Sequence, residues 1–186
     1  MKKLILLGLV FVLCAFTSSQ TQKVIDHAKW QTTQFVMYDG DYVRIPYPNG
    51  DVPADIGVCT DVIIRAYRAI NIDLQKLIHE DMVSNRAVYN KRYYTKILDT
   101  SIDHRRTQNQ ETFFSRHGTK LAVTNKGSDY KPGDLVFWDM SAGHVGIVVD
   151  LKVEGTDRYE VVHNISGGPE MEDCLFRYDI SGHYKY

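Results

Sequence analysis

Three side chains in this sequence could form a thiol nucleophile with a base and an orienting group. Cys59 stands where a helix is predicted to begin, and His144 and His163 follow it in the strand-like segments GHVGIVVD and VVHNISGG. A thiol is a poor nucleophile until it ionises, and both a helix N-terminus and a nearby imidazole favour the thiolate. We therefore expect thiol protease or related acyl-transfer chemistry, with the pKa of Cys59 lowered from its ordinary value of about 8.5.

The third member of this site depends on the register between two strands. A two-residue turn at Glu154-Gly155 would place His163 diagonally opposite His144 on one face of the sheet, with backbones roughly 7 Å apart. Asn164 would then point to the other face, and a register slip by one residue would exchange the two. We predict that His144 is the base and that His163 orients it, with Asn164 as the substitute.

A tetrahedral intermediate also needs hydrogen-bond donors for its oxyanion. The backbone N–H of Cys59 is the natural first donor, because it lies at the start of a helix. Residues 38–59 are rich in Gly and Pro, and an irregular segment of this length in a compact domain is usually functional. Tyr47, in this segment, is the predicted second donor.

The cysteines leave other roles open. After removal of the predicted leader only Cys59 and Cys174 remain, so a single disulfide between them is an alternative to two free thiols. Cys59, His144 and His163 could instead bind zinc, although no CxxC or HxxxH pair accompanies them. We favour free thiols, with Cys174 as a packing residue, and we predict neither a metal nor a cofactor.

The first residues resemble a secretory signal. Two lysines precede an apolar run from Leu4 to Phe16, too short to span a bilayer comfortably. We expect a signal peptide at 1–19 and one exported domain at 20–186, in the periplasm or associated with the cell envelope, with no transmembrane segment after signal removal. Lipidation at Cys14 is not favoured, because Leu13 stands where a small residue is needed.

Charge is nearly balanced overall but uneven along the chain. The formal net charge of −1 gives no field that would attract nucleic acid. Between Arg86 and Lys120, however, eight basic residues face three acidic ones. This excess is typical of a solvated helical face, and a surface for an anionic polymer is the alternative.

Hydrophobic spacing predicts helices in the first half of the chain and antiparallel strands in the second, an α+β fold. The predicted helices are 24–38, one starting at or just after Cys59, 73–83 and 84–98, followed by a looser segment that ends at Gly118. After a turn at 131–134, the predicted strands are 135–140, 144–151, 159–165 and 174–180.

The motifs together resemble those of the NlpC/P60 cell-wall peptidases. GVCTDVIIRAYR is similar to their DCSGLV-type helix, PGDLVFW to their GDLVFF strand, GHVGIVVD to their HVGIY strand, and VVHNISGG to the strand with their third polar residue. The set is more similar still to a little-characterised bacterial family of that superfamily. The likeness covers about residues 24–186, with the four motifs in the same order.

The resemblance implies a papain-like fold and cleavage of an amide bond in peptidoglycan stem peptides, with Cys59 as nucleophile, His144 as base and His163 as orienter. It also favours Tyr47 as a donor, since a tyrosine twelve residues before the nucleophile is common in related enzymes. The acidic residue before the cysteine is replaced by Val58, and Asp55 or Asp61 could take its place in binding a free amine. The segment 73–120 is longer than in compact members and reads as a helical insertion.

Two other functions stay open on the sequence. Papain-like thiol sites also serve transpeptidases and lipid acyltransferases, in which an amine or hydroxyl replaces water, although rearranged acyltransferases place the histidine before the cysteine. A non-catalytic wall-binding or metal-binding module is the alternative from a different class. The oligomeric state is not predicted.

Overall fold

Helices pack against one face of an antiparallel sheet. The structure is a computed structural model that describes residues 19–89 and 97–186, so the predicted signal peptide lies almost entirely outside the described residues. The α-helices of the described part are α1 (19–31), α2 (Cys59–Arg68), α3 (Leu74–Ser84), α4 (Arg86–Tyr89) and α5 (Thr107–His117). Short 3₁₀ turns lie at Asp103–Arg105 and Gly127–Asp129. No described helix has the length and apolar character needed to cross a membrane.

Six strands form the main sheet in the order β3-β8-β4-β5-β6-β7, and every neighbouring pair is antiparallel. They are β3 (Thr119–Lys120), β4 (Leu135–Trp138), β5 (His144–Lys152), β6 (Tyr159–Asn164), β7 (Pro169–Glu172) and β8 (Ile180–Lys185). A separate parallel pair joins β1 (Met37–Tyr38) to β2 (Ile56–Gly57). The predicted α+β class with antiparallel strands is confirmed.

The sheet separates two clusters of buried residues. On one face, Val145 and Ile147 of β5 pack with Ile63 of α2 in the main core. On the other face, Trp138 and Val148 pack with other apolar side chains in a smaller cluster. The alternation of side chains along β5 explains this division.

The first helix differs from the prediction of 24–38. Residues 19–31 are helical, and the chain then turns. The hydroxyls of Thr32 and Thr33 donate to the carbonyls of Lys29 and Trp30, each at 2.8 Å, and so take up acceptors that a continuing helix would use. The helix therefore ends early, and Met37–Tyr38 become free to pair as β1.

The segment predicted to be loose contains helix α5. Its apolar pattern is weak because the helix buries polar side chains, among them Asn109 and Gln110. Gln110 donates to the carbonyls of Thr60 and His104, at 3.1 and 3.0 Å. Tertiary hydrogen bonds rather than hydrophobic periodicity thus define this helix, and it ends at Gly118 as expected.

The last predicted strand, 174–180, is wrong. The chain turns there, with the N–H of Arg177 donating to the carbonyl of Cys174 at 3.0 Å. Cys174 and Leu175 are buried by this turn in the smaller cluster, which explains their apolar character without a strand. The strands lie on either side, as β7 and β8. Of the predicted helix 84–98, residues 86–89 are helical and 90–96 lie outside the described residues.

The basic excess between Arg86 and Lys120 is partly neutralised. Arg105 is buried against Asp61, and Arg116 bonds Asp81 at 2.7 Å. Arg105 is therefore not part of a solvated face, whereas Arg116 is exposed but paired.

Candidate active site

Cys59 is the first residue of α2, as predicted. Its Sγ lies 3.8 Å from Thr107 Oγ1, at the start of α5. The backbone N–H of Val145 also bonds the sulfur, and Val145 directly follows His144 in β5. The sulfur therefore lies between the starts of two helices and the beginning of the strand that carries the predicted base.

Burial dominates the ionisation of this thiol. It raises the pKa of Cys59 to about 11, against the opposing effects of the Thr107 hydroxyl and the backbone N–H groups of Val145 and Thr60. The predicted lowering of this pKa is wrong for the protein without substrate. The thiol is neutral at physiological pH, so ionisation has to accompany the reaction.

The register of β5 and β6 brings the two predicted histidines together. Ile147 pairs with Val162, which is the predicted register. Nearer the turn, between Val148 and Lys152, the pairing shifts. His144 Nε2 lies 2.7 Å from His163 Nδ1, and both rings are buried. The predicted placement of His144 and His163 on one face is confirmed.

A carboxylate that the sequence analysis missed completes this arrangement. Glu172 Oε1 lies 2.8 Å from His163 Nε2. Arg177 holds the same carboxylate with two hydrogen bonds, of 2.6 and 2.7 Å. Glu172 belongs to β7, and its position beside His163 follows from the pairing of β6 with β7. Glu172 lies in the segment GGPEMED (167–173), in which acidic and other residues alternate over PEME, but no strand was predicted there.

For a neutral His163, these contacts determine the proton positions on both rings. Because the ionised Glu172 can only accept, His163 carries its proton on Nε2 and presents a lone pair on Nδ1. His144 then donates from Nε2 to that lone pair, and its own Nδ1 is unprotonated. The ring of His144 is thereby prepared to accept a proton.

The environment also keeps His144 neutral. Its ring stacks on Trp138 at 5.4 Å between centroids. Burial is the main cause that lowers the pKa of His144 to about 4. A neutral imidazole with a free nitrogen is the form that a general base requires.

Asn164 has a different role from the one predicted. Its Nδ2 donates to the carbonyl of Gly57 at 3.1 Å, and the side chain is buried. It faces the α2 side of the sheet, whereas His163 faces the other side. Asn164 thus fastens the segment that leads into Cys59, and its amide does not bond His144.

Asp61, predicted as a substrate-binding residue, is committed to the protein itself. Its Oδ1 and Oδ2 accept from Arg105 at 2.9 and 2.8 Å, and Oδ2 also accepts from the N–H of Val58 at 2.8 Å. Arg105 further donates to the carbonyls of Asp39 and Asp41. A buried, paired carboxylate has no free oxygen for a substrate amine, so Asp61 does not compensate for Val58.

Tyr47 is not brought to the cysteine. Its ring packs edge-on against His79 of α3, at 5.5 Å between centroids, and its hydroxyl interacts with Glu80. The tyrosine close to the nucleophile is Tyr38, which pairs with Gly57 in the β1–β2 ladder. Burial and then the charge of Cys59 raise the pKa of the Tyr38 phenol. The sequence analysis favoured Tyr47 and did not single out Tyr38.

A cavity of about 450 Å³ opens beside these groups. Thr107 and Gly143, the neighbours of Cys59 and His144, line it together with Arg106, Gln108 and Asp139. Cys59 and His144 are not among the lining residues, so the cavity lies next to them and does not enclose them.

The disulfide alternative is excluded, since Cys59 and Cys174 are both free thiols. Cys174 is buried in the smaller cluster, as expected of a packing residue. Among the described residues, the group spaced to hold a metal ion is His163, Glu172 and Cys174, which differs from the predicted trio with Cys59.

Comparison with known proteins gives two matches. The profile of a family described as "Domain of unknown function (DUF1287)" matches residues 25–186. A protein of Escherichia coli (strain K12) called "Uncharacterized protein YijF" is 45% identical over 166 residues, which cover 88% of this chain and 80% of that protein.

Proposed function

The chain belongs to the DUF1287 family, described as a domain of unknown function, and from the geometry of its site we propose that it is a cysteine hydrolase. Its substrate in this proposal is an amide bond of a peptidoglycan stem peptide. Cys59 is the nucleophile, His144 the base and His163 the orienter. The fold in this proposal is the papain-like NlpC/P60 type, and the protein acts after export, in the periplasm or cell envelope.

One observation carries the proposal: the 2.7 Å hydrogen bond from His144 Nε2 to His163 Nδ1. It leaves a lone pair on His144 Nδ1, in the residue next to the N–H that contacts the Cys59 sulfur. An oriented neutral imidazole that can reach a thiol is the arrangement used for nucleophilic catalysis by cysteine. In the structure the Cys59 sulfur contacts Thr107 and the backbone of Val145, the residue after His144, and not the His144 ring itself.

The reaction follows in two stages. As Cys59 Sγ attacks the amide carbonyl, its proton passes to His144 Nδ1, and the oxyanion is stabilised by the Cys59 N–H and the Tyr38 hydroxyl. The imidazolium then donates its proton to the leaving amine, and the C–N bond breaks to give a thioester. Water attacks the thioester with His144 as base, which releases the carboxylic acid and restores the thiol.

The substrate class rests on the resemblance of the four motifs to those of cell-wall peptidases. The cavity beside Thr107 and Gly143 supports it, because its lining is polar and carries both signs of charge. Asp61 is unavailable, so recognition of a free N-terminal amine through that carboxylate is not part of the proposal.

Mass spectrometry of soluble fragments from purified sacculi and defined muropeptides tests this function. Wild type should release fragments with a new amine and a new carboxylate, whereas Cys59→Ala and His144→Ala should release none. His27→Ala, which alters a half-buried histidine of α1 away from the site, is the matched control and should keep turnover. Unchanged release by Cys59→Ser would contradict the proposal, because a hydroxyl cannot replace the thiol under these conditions. An added amine that appears in the product would identify transfer instead of hydrolysis.

A further inference from the structure

A thiol, a carboxylate and an imidazole converge at the end of the histidine pair remote from Cys59. Ligand atoms of His163, Glu172 and Cys174 all lie within 4.8 Å of one another. His163 and Cys174 are buried, while the side chain of Glu172 is 27% exposed. The group therefore has one side open to ions from solvent, and the mechanism above makes no use of Cys174.

These three ligand types suit zinc. Zn²⁺ binds cysteine sulfur, histidine nitrogen and carboxylate oxygen in tetrahedral sites, and three protein ligands leave a position for water. A thiolate in the set disfavours Mg²⁺ and Ca²⁺, which prefer oxygen ligands. Arg177 already orients the Glu172 carboxylate, in the way that outer-shell partners orient metal-binding carboxylates.

We propose that His163 Nε2, Glu172 and Cys174 form an inhibitory zinc site that controls the tautomer of His144. The inhibition rests on the proposed function, but the binding of zinc does not. Zinc binds the lone pair of His163 Nε2, so the single proton of the neutral ring must lie on Nδ1 instead. His163 then donates to His144 Nε2 across their hydrogen bond, instead of accepting from it.

The consequence reaches the nucleophile through one proton shift. Because Nε2 of His144 now accepts a hydrogen bond, the proton of the His144 ring must lie on its own Nδ1. That nitrogen otherwise accepts the proton of the Cys59 thiol. His144 can no longer serve as base. Zinc would thus inactivate the site without touching Cys59, and the release of zinc would restore the active tautomer.

Zinc binding can be measured without any substrate. The purified protein, titrated with Zn²⁺ in competition with a chromophoric chelator, should bind one ion. Cys59→Ala should bind it with wild-type affinity. Loss of an outer-shell partner typically lowers metal affinity by roughly 10–100-fold. Cys174→Ala removes a direct ligand, so it should weaken zinc binding by at least this factor. X-ray absorption of zinc-loaded Cys59→Ala should record one sulfur ligand.

Several results would overturn the site. Zinc binding that is lost in Cys59→Ala and kept in Cys174→Ala would assign the ion to Cys59 and His144 instead. Equal affinity in both variants, or no binding by wild type, would remove the proposal while leaving the hydrolase untouched. Glu172→Gln, which keeps the size of the side chain, should also weaken binding, and thermal unfolding checks that each variant folds.

A spectroscopic readout tests the tautomer shift itself. In ¹⁵N spectra of the histidine rings, zinc should move the proton of His144 from Nε2 to Nδ1, and Cys174→Ala should show no such shift at the same zinc concentration. Hydrolysis by wild type should fall in parallel. Inhibition that is equally strong in Cys174→Ala, with each rate taken relative to its own zinc-free value, would contradict the mechanism.

Discussion

Asn164 donates a hydrogen bond from Nδ2 to the backbone carbonyl of Gly57, 3.1 Å away, and so joins the end of β6 to the strand that leads into Cys59. Both residues are buried. The neighbouring His163 bonds His144 on the other face of the sheet. Two consecutive residues of one strand therefore position the segment before Cys59 and the ring of His144 separately, because side chains alternate between faces.

Asn164→Ala should destabilise the fold by about 0.5–1.5 kcal/mol, since the Gly57 carbonyl loses one of two donors and keeps the N–H of Asp39 at 3.3 Å. It should also lower turnover, because the segment before Cys59 loses its attachment to the sheet. Urea unfolding and muropeptide release measure the two effects. Asn125→Ala, at an exposed asparagine, is the control and should change stability by less than about 0.5 kcal/mol. A wild-type midpoint for Asn164→Ala would show that this bond contributes little.

The raised pKa of Cys59 predicts slow alkylation at neutral pH. Because burial favours the neutral thiol and raises its pKa to about 11, the rate with iodoacetamide should keep rising with pH through the alkaline range. A preformed thiolate–imidazolium pair would instead give a plateau from acidic pH. Mass spectrometry of the Cys59 peptide follows the rate, with Cys174→Ala removing the other thiol.

Thr107 should contribute to this reactivity through its hydroxyl, 3.8 Å from the sulfur. Thr107→Val removes the hydroxyl at nearly constant volume, so the pKa of Cys59 should rise further and alkylation should slow. Thr107→Ser keeps the hydroxyl and should stay close to wild type. If valine and serine gave equal rates, the hydroxyl would have no part in tuning the thiol.

The two tyrosines offer a direct comparison. Tyr38→Phe should reduce kcat by roughly 10²–10³-fold if its hydroxyl is an oxyanion donor. Tyr47→Phe should leave kcat near wild type, because Tyr47 packs on His79 instead of the site. Steady-state kinetics on a defined muropeptide separates them. The reverse order would restore Tyr47 as the donor.

Arg105 and Asp61 form a buried ion pair that should be important for stability. Removing one partner leaves an unpaired buried charge, which typically costs about 3–5 kcal/mol. Arg105→Ala should therefore lower the free energy of unfolding by that amount, and more than Arg177→Ala, whose side chain is 43% exposed. Denaturant titration of both variants tests this order. If both variants lost a similar amount of unfolding free energy, the Arg105–Asp61 ion pair would be screened by solvent like the exposed pair of Arg177.

The sequence predicted those parts of the site that depend on local pattern. Cys59 could be placed at a helix start from the apolar stripe behind it, and the shared face of His144 and His163 followed from strand parity. The first inference needs only the spacing of apolar residues along a helix. The second needs only the alternation of side chains along a strand and the register of one hairpin.

The parts that were missed depend on contacts between distant segments. Glu172 reaches His163 through a strand that begins with proline, which obscured it. Thr107 and Arg105 lie in a segment that contacts α2 through polar groups, so hydrophobic periodicity gave no signal. Tyr38 gave no signal because the β1–β2 pairing that brings it beside Gly57 joins residues far apart in sequence.

The protein should lose stability as pH rises through a window set by His183. Its Nδ1 donates to the carbonyl of Ala122 at 2.9 Å and its Nε2 to Asp134 at 2.8 Å, so both nitrogens are protonated in the fold. Burial opposes this charge, but Asp134 and the Ala122 carbonyl prevail, with help from Asp129, and the pKa of His183 is raised above 6.5. The stacked ring of Tyr130 is the other neighbour.

The direction follows from proton binding. Between pH 6.5 and the raised pKa, the folded protein holds a proton on His183 that the unfolded chain does not. This stabilisation is fully present below pH 6.5 and disappears as pH rises through the raised value. Urea unfolding of wild type and His183→Gln from about pH 5 to 9 isolates the term, since other groups titrate equally in both. The difference in unfolding free energy between them should shrink with rising pH, and parallel profiles would mean that His183 is neutral in the fold.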